Sequence, residues 1–379
     1  MKILAVIDSF KGSLTSMQAG RAAAEGILRA IPSAEVKVMP LADGGEGTVT
    51  ALAEGLGGSY REVEAADPLG RRIGVKYCIL PDNTAVIEAA AASGLPLLAE
   101  TERSPMHTTT FGTGELIRDA VLSGCRRFII GIGGSATNDG GIGCLQALGY
   151  SFKDSRGNEV GYGAYGAGQA VSVSTENVLP ELRECIFSTA CDVRNVLCGE
   201  NGCSAVFSLQ KGAKPSEVPI MDGFLRHYAE LIRSELVPEA DLDAEGVGAA
   251  GGLGFALKYV LGSALESGAE MVMRETGIEE QIRSADVVVT GEGRLDAQTA
   301  MGKAPIRIAQ AAQRFGKPVI AFCGCVGEGA ERCLTSGITA YFPIVSSPTP
   351  LAEAMLPENA QHNLSSTVAH VFTDLSFIQ

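Results

Sequence analysis

The N-terminal part of the chain alternates between short apolar runs and amphipathic helical stretches. Residues 2–7 form an apolar run that is typical of a buried strand, and a helical pattern of apolar positions follows from Ser16 to Ala30. Residues 35–39 predict a second strand, which leads into the loop Asp43–Gly47 and another helix. This β-α-β-α order indicates a parallel sheet.

The same alternation returns near the C-terminus. Residues 285–290 and 318–322 predict strands, residues 305–315 predict the helix between them, and residues 338–342 are a candidate last strand. Strands divided between the two ends of the chain predict one α/β domain, a doubly wound Rossmann-like parallel sheet, that is interrupted by a large insertion.

The middle region has a different pattern. Residues 60–63, 73–80 and 84–88 predict antiparallel strands that are joined by turns rich in Pro, Gly and Asp. Farther on, the pattern predicts a helix over 113–124, a buried strand over 127–131, a helix over 138–148 that begins on a glycine loop, and a helix around 222–236. The insertion is therefore expected to be a second α/β domain with a mixed sheet. We place the Rossmann-like domain at residues 1–66 and 282–379 and the inserted domain at residues 67–281.

Composition narrows the classes of function. The chain has 379 residues, more than one hydrophobic core usually serves. Its formal net charge of −14, without a basic run, argues against a nucleic-acid or membrane partner. The ten cysteines form no C-x-x-C pair, which argues against zinc. The apolar start is too short for a signal peptide, and the sequence has no apolar run of about 18 residues, so we expect a cytoplasmic protein.

Glycine-rich stretches beside charged residues carry the candidate chemistry. The chain has 47 glycines, and four such stretches begin at Asp43, Gly133, Gly251 and Gly291. Glycine allows backbone N–H groups to approach a ligand closely, which suits phosphate or carboxylate. Carboxylates among anion-binding loops usually require a cation between them, so the stretches together indicate phosphoryl transfer with Mg²⁺.

Two glycine patterns are typical of known nucleotide sites. Gly131-x-Gly133-x-x-Ala136 matches the dinucleotide fingerprint, but Asn138-Asp139 would place an acid against the pyrophosphate. The Walker pattern is missing, because Gly302-Lys303 lacks its glycine partner and the hydroxyl. A nucleotide would therefore be held by another arrangement.

Polar side chains cluster where predicted strands end, the place at which open α/β sheets bind ligands. Residues 8–13 follow the first strand, and Asp43 and Glu46 follow the second. Helix or turn capping is the alternative explanation for these residues. The apolar flanks of residues 192–195 indicate a buried segment, whose carboxylate and arginine are either a structural ion pair or a poised base with its partner. Residues 292–296 mix acids and a base after the 285–290 strand, which favours a site.

Several of these segments resemble the bacterial glycerate kinase family. The matching motifs run in order along nearly the whole chain: Asp8–Ser13, Ala42–Thr48, Gly112–Ile117, Gly131–Gly141, Cys191–Asn195, Gly248–Gly254 and Gly291–Asp296. The resemblance implies a glycerate 2-kinase, which uses ATP to phosphorylate D-glycerate and gives 2-phosphoglycerate, with 3-phosphoglycerate as the alternative product. It also implies a Rossmann-like domain joined to a second α/β domain.

The chemistry of phosphoryl transfer then suggests a role for each motif residue. The candidates for catalysis are Asp192 as the base, Lys11 and Arg194. The candidates for substrate binding are Asp8, Ser13, Asn195 and Arg294. The candidates for nucleotide binding are Gly133, Gly134, Ser135, Thr137, Asn138 and Lys303, and those for Mg²⁺ are Asp43, Glu46 and Asp296.

Two other functions stay open on the sequence alone. One is a nicotinamide-dependent hydroxyacid dehydrogenase that uses the 131–136 glycine loop. The other is a non-catalytic sensor of a sugar acid. Small-molecule partners, D-glycerate and ATP, are expected in the favoured interpretation, and a homodimer stays open.

Overall fold

The computed structural model describes residues 1–43, 47–345 and 349–374, in which strands and helices alternate. The strands are β1 (Lys2–Ile7), β2 (Glu35–Pro40), β3 (Ser59–Ala66), β4 (Arg72–Ile79), β5 (Thr84–Glu88), β6 (Arg127–Gly131), β7 (Ser151–Lys153), β8 (Ser172–Ser174), β9 (Ile186–Ala190), β10 (Ala264–Glu266), β11 (Val287–Leu295), β12 (Val319–Val326) and β13 (Ala340–Pro343).

The α-helices range from single turns to 18 residues in length. They are α1 (Ser16–Ala30), α2 (Thr48–Leu56), α3 (Ala90–Ser93), α4 (Phe111–Leu122), α5 (Ile142–Ala147), α6 (Gly163–Ala167), α7 (Cys203–Phe207), α8 (Val218–Glu235), α9 (Leu253–Phe255), α10 (Gly268–Thr276), α11 (Ile278–Ser284), α12 (Ala297–Ala300), α13 (Ala304–Arg314), α14 (Arg332–Thr335), α15 (Leu351–Ala354) and α16 (Pro357–Thr373). Within the described ranges, every helix is too short or too polar to cross a membrane.

The two ends of the chain build a parallel sheet. Its strand order is β13-β12-β11-β1-β2, and every pair of neighbours is parallel. Side chains of β1 alternate between two cores: Leu4 belongs to the same core as Ile308 of α13 on one face, and Ala5 belongs to the same core as Ala22 of α1 on the other. Because helices cover both faces, the strands are continuously apolar, as the sequence showed. The predicted doubly wound parallel sheet is confirmed.

The middle of the chain builds a mixed sheet in the order β10-β9-β6-β5-β4-β3. Strands β3, β4 and β5 pair antiparallel, whereas β5, β6, β9 and β10 pair parallel. The predicted insertion with a mixed sheet is therefore confirmed. Short strands β7 and β8 form a separate antiparallel pair.

Contacts between residues divide the described chain into two compact units. The first unit contains Met1–Asp43, Thr50–Gly57 and the chain from Ala269 onward, and the second contains Gly58–Gly268 with the short segment before Thr50. These units do not test where independently folding domains begin and end. The boundaries near residues 67 and 281 therefore stay a prediction.

Two of the sequence-based element boundaries that are wrong affect the candidate site residues. The helix expected from Asn138 begins only at Ile142, because Gly140 and Gly141 have φ values of +67° and +80°, outside the helical region. The strand expected to end at residue 290 continues to Leu295, since its hydrogen bonding to β12 continues to that point. Glu292 and Arg294 therefore lie within β11 and do not follow it.

Candidate active site

A cavity of about 860 Å³ lies in the first unit, at the carboxyl ends of β1, β11 and β12. Parallel sheets bind ligands at this edge because loops and helix ends from several strands meet there. The structure brings many of the predicted site residues to its wall: Asp8, Lys11, Asp43, Arg294, Asp296 and Lys303. The predicted metal ligand Glu46 lies outside the described residues.

Asp8 is the most deeply buried acid of this cavity. It follows β1 directly and is 6% exposed, and its Oδ1 accepts a hydrogen bond of 2.7 Å from the backbone N–H of Ser9. Burial, and next the neighbouring Asp43 carboxylate, raises the pKa of Asp8 to about 7, and the opposing effect of Lys11 is smaller. The carboxyl group of Asp8 can therefore gain or lose a proton near neutral pH.

Lys11 and Ser13 lie in the loop after Asp8 and offer groups that can bind an anion. The Nζ of Lys11 lies 3.4 Å from Oδ2 of Asp43, and its side chain is more than half exposed. The hydroxyl of Ser13, which also lines the cavity, is buried and has no hydrogen-bond partner among the described residues. Buried hydroxyl groups are rarely left without a partner, so this hydroxyl is suited to bind a ligand.

Glu292 is a second buried acid of the cavity, and its partner Thr299 was not identified from the sequence. The Oε1 of Glu292 accepts a hydrogen bond of 2.5 Å from the hydroxyl of Thr299, the third residue of α12. Burial raises the pKa of Glu292, although the Thr299 hydrogen bond and the nearby Lys303 oppose this shift. Only the local spacing of residues 292–299 could have suggested this pair, and only if the start of α12 had been recognised.

Asp296 has a structural role in the same region. Its Oδ1 accepts hydrogen bonds from the N–H groups of Gln298 and Thr299 at 2.9 and 3.3 Å, so it caps α12. Its Oδ2 also lies 3.2 Å from Nε of Arg294, a predicted substrate-binding residue. Both residues therefore have partners within the protein.

A preformed metal centre is missing from the described part of the chain. No group of three or more His, Cys, Asp or Glu side chains is close enough there to hold an ion. Mg²⁺ is usually bound by only one or two carboxylates together with water and substrate phosphates. Asp43 and Asp296 fit that limited requirement, and their role as ligands stays a prediction.

The second unit contains the remaining predicted residues. Asp192 and Arg194 lie in the loop after β9 and are exposed, so the expectation of a buried segment is wrong. The flanking residues Ala190 and Leu197 are buried, which accounts for the apolar pattern. The backbone N–H of Gly268 donates to Oδ1 of Asp192 at 3.3 Å.

Arg194 and Asn195 interact within the same unit. The Nε of Arg194 lies 3.9 Å from Oε2 of Glu245, and the Arg194 side chain is 84% exposed. The Nδ2 of Asn195 donates a hydrogen bond of 3.0 Å to the backbone oxygen of Asn201. An ion pair with such exposure contributes little to stability, so Arg194 can rearrange at small cost.

The glycine loop after β6 is exposed only at its first residues. Gly133 and Gly134 are exposed, whereas the side chains of Ser135, Thr137 and Asn138 are buried. The Nδ2 of Asn138 donates to the hydroxyl of Ser204 at 2.8 Å. In this conformation, only the glycine backbone and its immediate surroundings can meet a nucleotide.

Lys211 is a buried residue that contacts this loop, and it was not identified from the sequence. Its Nζ donates hydrogen bonds to Oγ of Ser135 at 2.8 Å and to the backbone oxygen of Thr137 at 2.7 Å. The residue is 3% exposed and lies at the end of a short 3₁₀ turn, Leu209–Lys211. It is more than 70 residues from the loop in sequence, and its local sequence carries no signal of the contact.

The sheet and its cavity define a class of protein. A doubly wound parallel sheet has a cavity at its carboxyl edge, and this cavity contains a carboxyl group that titrates near neutral pH beside lysine and arginine side chains. Perturbed acids in such clefts are typical of catalytic sites. The protein is an α/β enzyme.

Comparison with known proteins gives the family. The sequence model of the glycerate kinase family matches residues 3–376, so the chain belongs to this family and is a kinase. It is 42% identical to a glycerate kinase of Haemophilus influenzae over 100% of this chain and 99% of that protein. It is 41% identical to the glycerate 2-kinase of Escherichia coli over 97% of this chain and 98% of that protein.

A solved structure agrees with the fold. The crystal structure of a Salmonella typhimurium LT2 protein assigned as glycerate kinase 2 superimposes with a TM-score of 0.89 at 41% identity, covering 99% of this chain and 98% of that one. The suspected family and fold class are therefore confirmed. The comparisons support a kinase, and they give no support to the dehydrogenase alternative or to the sensor alternative.

Proposed function

We propose that this kinase transfers the γ-phosphoryl group of ATP to a hydroxyl of D-glycerate and gives 2-phosphoglycerate, with 3-phosphoglycerate as the alternative product. The observation that carries the proposal is the cavity of the first unit, which Lys11 and Lys303 line and in which Asp8 has a pKa of about 7. Phosphoryl transfer requires positioning and charge neutralisation more than covalent chemistry. The name of the Escherichia coli relative supports the 2-kinase assignment.

The residues present are compatible with Mg²⁺ and a triphosphate. Lys11, Lys303 and Arg294 supply positive charge around the cavity, and Asp43 with Asp296 offers oxygen ligands. Bound Mg²⁺ would neutralise charge that develops on the transferred phosphoryl group. The glycine loop that begins at Gly133 is the proposed contact for nucleotide phosphates, as the sequence predicted.

The proton acceptor is a choice between two carboxylates. The sequence favoured Asp192, which is exposed. Asp8 is buried and titrates near neutral pH, and a base is most effective when its pKa lies near the working pH. We therefore propose Asp8 as the group that accepts the hydroxyl proton, and Asp192 and Arg194 as candidates for contacts to the glycerate.

One experiment tests the proposed reaction. The protein is incubated with D-glycerate and Mg·ATP, ADP release is followed in a coupled assay, and the product is identified by ³¹P NMR. We expect ADP release that depends on glycerate and a signal of 2-phosphoglycerate. Release that is unchanged when glycerate is omitted, or that occurs only with another short hydroxy acid, would refute the substrate assignment.

The other expected properties are tested separately. A fluorescence titration with NADH examines the dehydrogenase alternative, for which saturable binding would be required. A cytoplasmic location is part of the proposal for a kinase of a small soluble acid, and a homodimer stays open. Light scattering after size-exclusion chromatography measures the oligomeric state.

A further inference from the structure

Lys211 is a buried ammonium group without a partner of opposite charge at ion-pair distance in the part of the chain described here. Its Nζ makes two hydrogen bonds, to the Ser135 hydroxyl and the Thr137 carbonyl. Burying an unpaired ammonium group is costly, so its retention points to a use. An anion bound nearby would supply the missing negative charge.

The acid that acts on Lys211 electrostatically is already engaged in hydrogen bonds. Asp139 is fully buried, and its carboxylate accepts hydrogen bonds from the N–H and hydroxyl of Thr110 and from the N–H groups of Gly141 and Gly143. It affects Lys211 electrostatically, without a direct hydrogen bond between them. The positive charge of Lys211 is therefore not neutralised by direct contact with Asp139.

The loop after β6, which Lys211 contacts, has hydrogen-bond donors without an acceptor among the described residues. The backbone N–H groups of Gly133, Gly134 and Ser135 donate no hydrogen bond to any residue that the structure describes. Because the Ser135 hydroxyl accepts from Lys211, its own proton is free to be donated elsewhere. The Thr137 hydroxyl is also buried without a partner among the described residues. Successive free N–H groups and a hydroxyl beside a cation form a site for a phosphate group.

We propose that Lys211 is a positioning residue of the nucleotide site, which holds the loop after β6 and directs the Ser135 hydroxyl toward an oxygen of a nucleotide phosphate. This inference rests on the proposed function for its nucleotide but adds a residue that no sequence motif indicated. The phosphate contacts the glycine N–H groups and the hydroxyl, and Lys211 acts through Ser135.

The test compares Lys211→Met with Lys214→Met. Lys214 is an exposed lysine three positions farther along the chain, so its substitution removes the same charge without touching the loop. Calorimetric titration with ADP and steady-state kinetics are measured for both variants and for the wild type. We expect Lys211→Met to raise the Kd of ADP and the KM of Mg·ATP at least tenfold, and Lys214→Met to change them less than twofold.

Ser135→Ala provides a second variant that preserves the buried lysine, in case Lys211→Met does not fold. We expect it to raise the same two constants severalfold while the KM of glycerate stays near the wild-type value. Unchanged ADP binding in either variant when folded, or an effect confined to the KM of glycerate, would overturn the proposal. ADP titration requires no turnover, so an inactive wild type that still binds ADP would refute the glycerate reaction alone.

The pH dependence of ADP binding gives an independent readout. Burial lowers the pKa of Lys211 to about 8, whereas burial raises the pKa of the neighbouring Cys203 thiol to about 12. Asp139, whose pKa burial raises, is the acid that acts on Lys211 electrostatically. We expect the affinity for ADP to fall as the pH rises through about 8, and this fall to be lost in Lys211→Met. An equal fall in both proteins would count against the proposal.

Discussion

At the scale of single residues, Asp8 provides the sharpest test of the mechanism. The charged groups that face it are Asp43, Lys11 and Glu292, and burial has the largest effect on its pKa. Because the carboxylate must be ionised to accept a proton, we expect kcat of the wild type to rise with pH through about 7. Asp8→Asn should lower kcat by about 100-fold or more and remove this rise. Stopped or coupled assays from pH 5.5 to 8.5 measure both effects.

Asp192→Asn is the matched control for the mechanism. It removes the same charge from an exposed carboxylate. If Asp8 is the base, this variant should retain the pH profile of the wild type, whatever its effect on the KM of glycerate. Near-normal turnover in Asp8→Asn, together with a loss of orders of magnitude in Asp192→Asn, would return the role to Asp192.

The same substitution at Asp8 has a predicted effect on stability. The folded pKa is about 7 and the reference value is 3.8, so ionised Asp8 destabilises the fold, by on the order of 4 kcal/mol above pH 7. This cost appears as the pH rises from about 4 to 7 and is absent below that window. We expect Asp8→Asn to increase the free energy of unfolding at pH 8 and to leave it nearly unchanged at pH 4. Urea unfolding measures the difference.

Glu176 is an exposed carboxylate, and Glu176→Gln should have no such pH-dependent effect. A stability difference for Asp8→Asn that is equal at pH 4 and pH 8 would show that the charge of Asp8 is not the cause.

At the scale of elements, two glycine segments of the second unit pack against each other. Gly251 has φ of +67°, and a Cβ atom there would lie 2.0 Å from the backbone oxygen of Thr137. Gly251→Ala should therefore cost about 3 kcal/mol or more, from backbone strain and overpacking, and weaken ADP binding by moving the loop. Thermal unfolding and ADP titration measure these effects.

Gly223 offers the opposite case within helix α8. A Cβ atom at this position would meet no other atom within 4 Å. Gly223→Ala should stabilise the protein by about 0.5–1 kcal/mol, because glycine is unfavourable inside a helix, and should leave ADP binding unchanged. Equal losses in the two variants would mean that the packing of Gly251 is not special.

Sequence patterns predicted elements well where one physical cause dominates. Helix α1 has the predicted bounds because apolar spacing agrees with its N-terminal cap, in which Thr15 and Gln18 bond reciprocally. The start of α5 was wrong because the conformations of Gly140 and Gly141 depend on packing against the segment around Gly251. Apolar spacing does not report such tertiary packing.

Candidate residues of the site were predictable to the extent that topology brings them together. Strand ends of a parallel sheet meet at one edge, so Asp8, Asp43 and Lys303 could be grouped from the order of elements alone. Lys211 could not be found in this way, because its contact with the Ser135 loop depends on the path of the chain between distant elements. The exposure of Asp192 was missed for a related reason: its apolar neighbours are buried while the loop itself is not.

At the scale of the whole molecule, the domain boundaries can be tested with fragments. Strand β3 pairs with β4 along its full length, from Ser59 with Ile79 to Ala66 with Arg72. A fragment of residues 67–281 lacks β3 and carries Ile278, which packs in the core of the first unit. We expect residues 58–268 to give a soluble fragment with cooperative thermal unfolding, and residues 67–281 to aggregate. Circular dichroism and size-exclusion chromatography compare them. Cooperative unfolding of a soluble 67–281 fragment, together with aggregation of 58–268, would favour the sequence-based boundaries.

The position of β1 between β2 and β11 affects how the protein is made. One neighbour of β1, the strand β2, follows soon in the chain, but the other, β11, begins only at Val287. During translation, the backbone groups of β1 that pair with β11 therefore stay unpaired until most of the polypeptide has been synthesised. We expect the mixed sheet of the second unit to form first during translation. Chaperones are expected to bind the incomplete β1 segment before β11 has been synthesised.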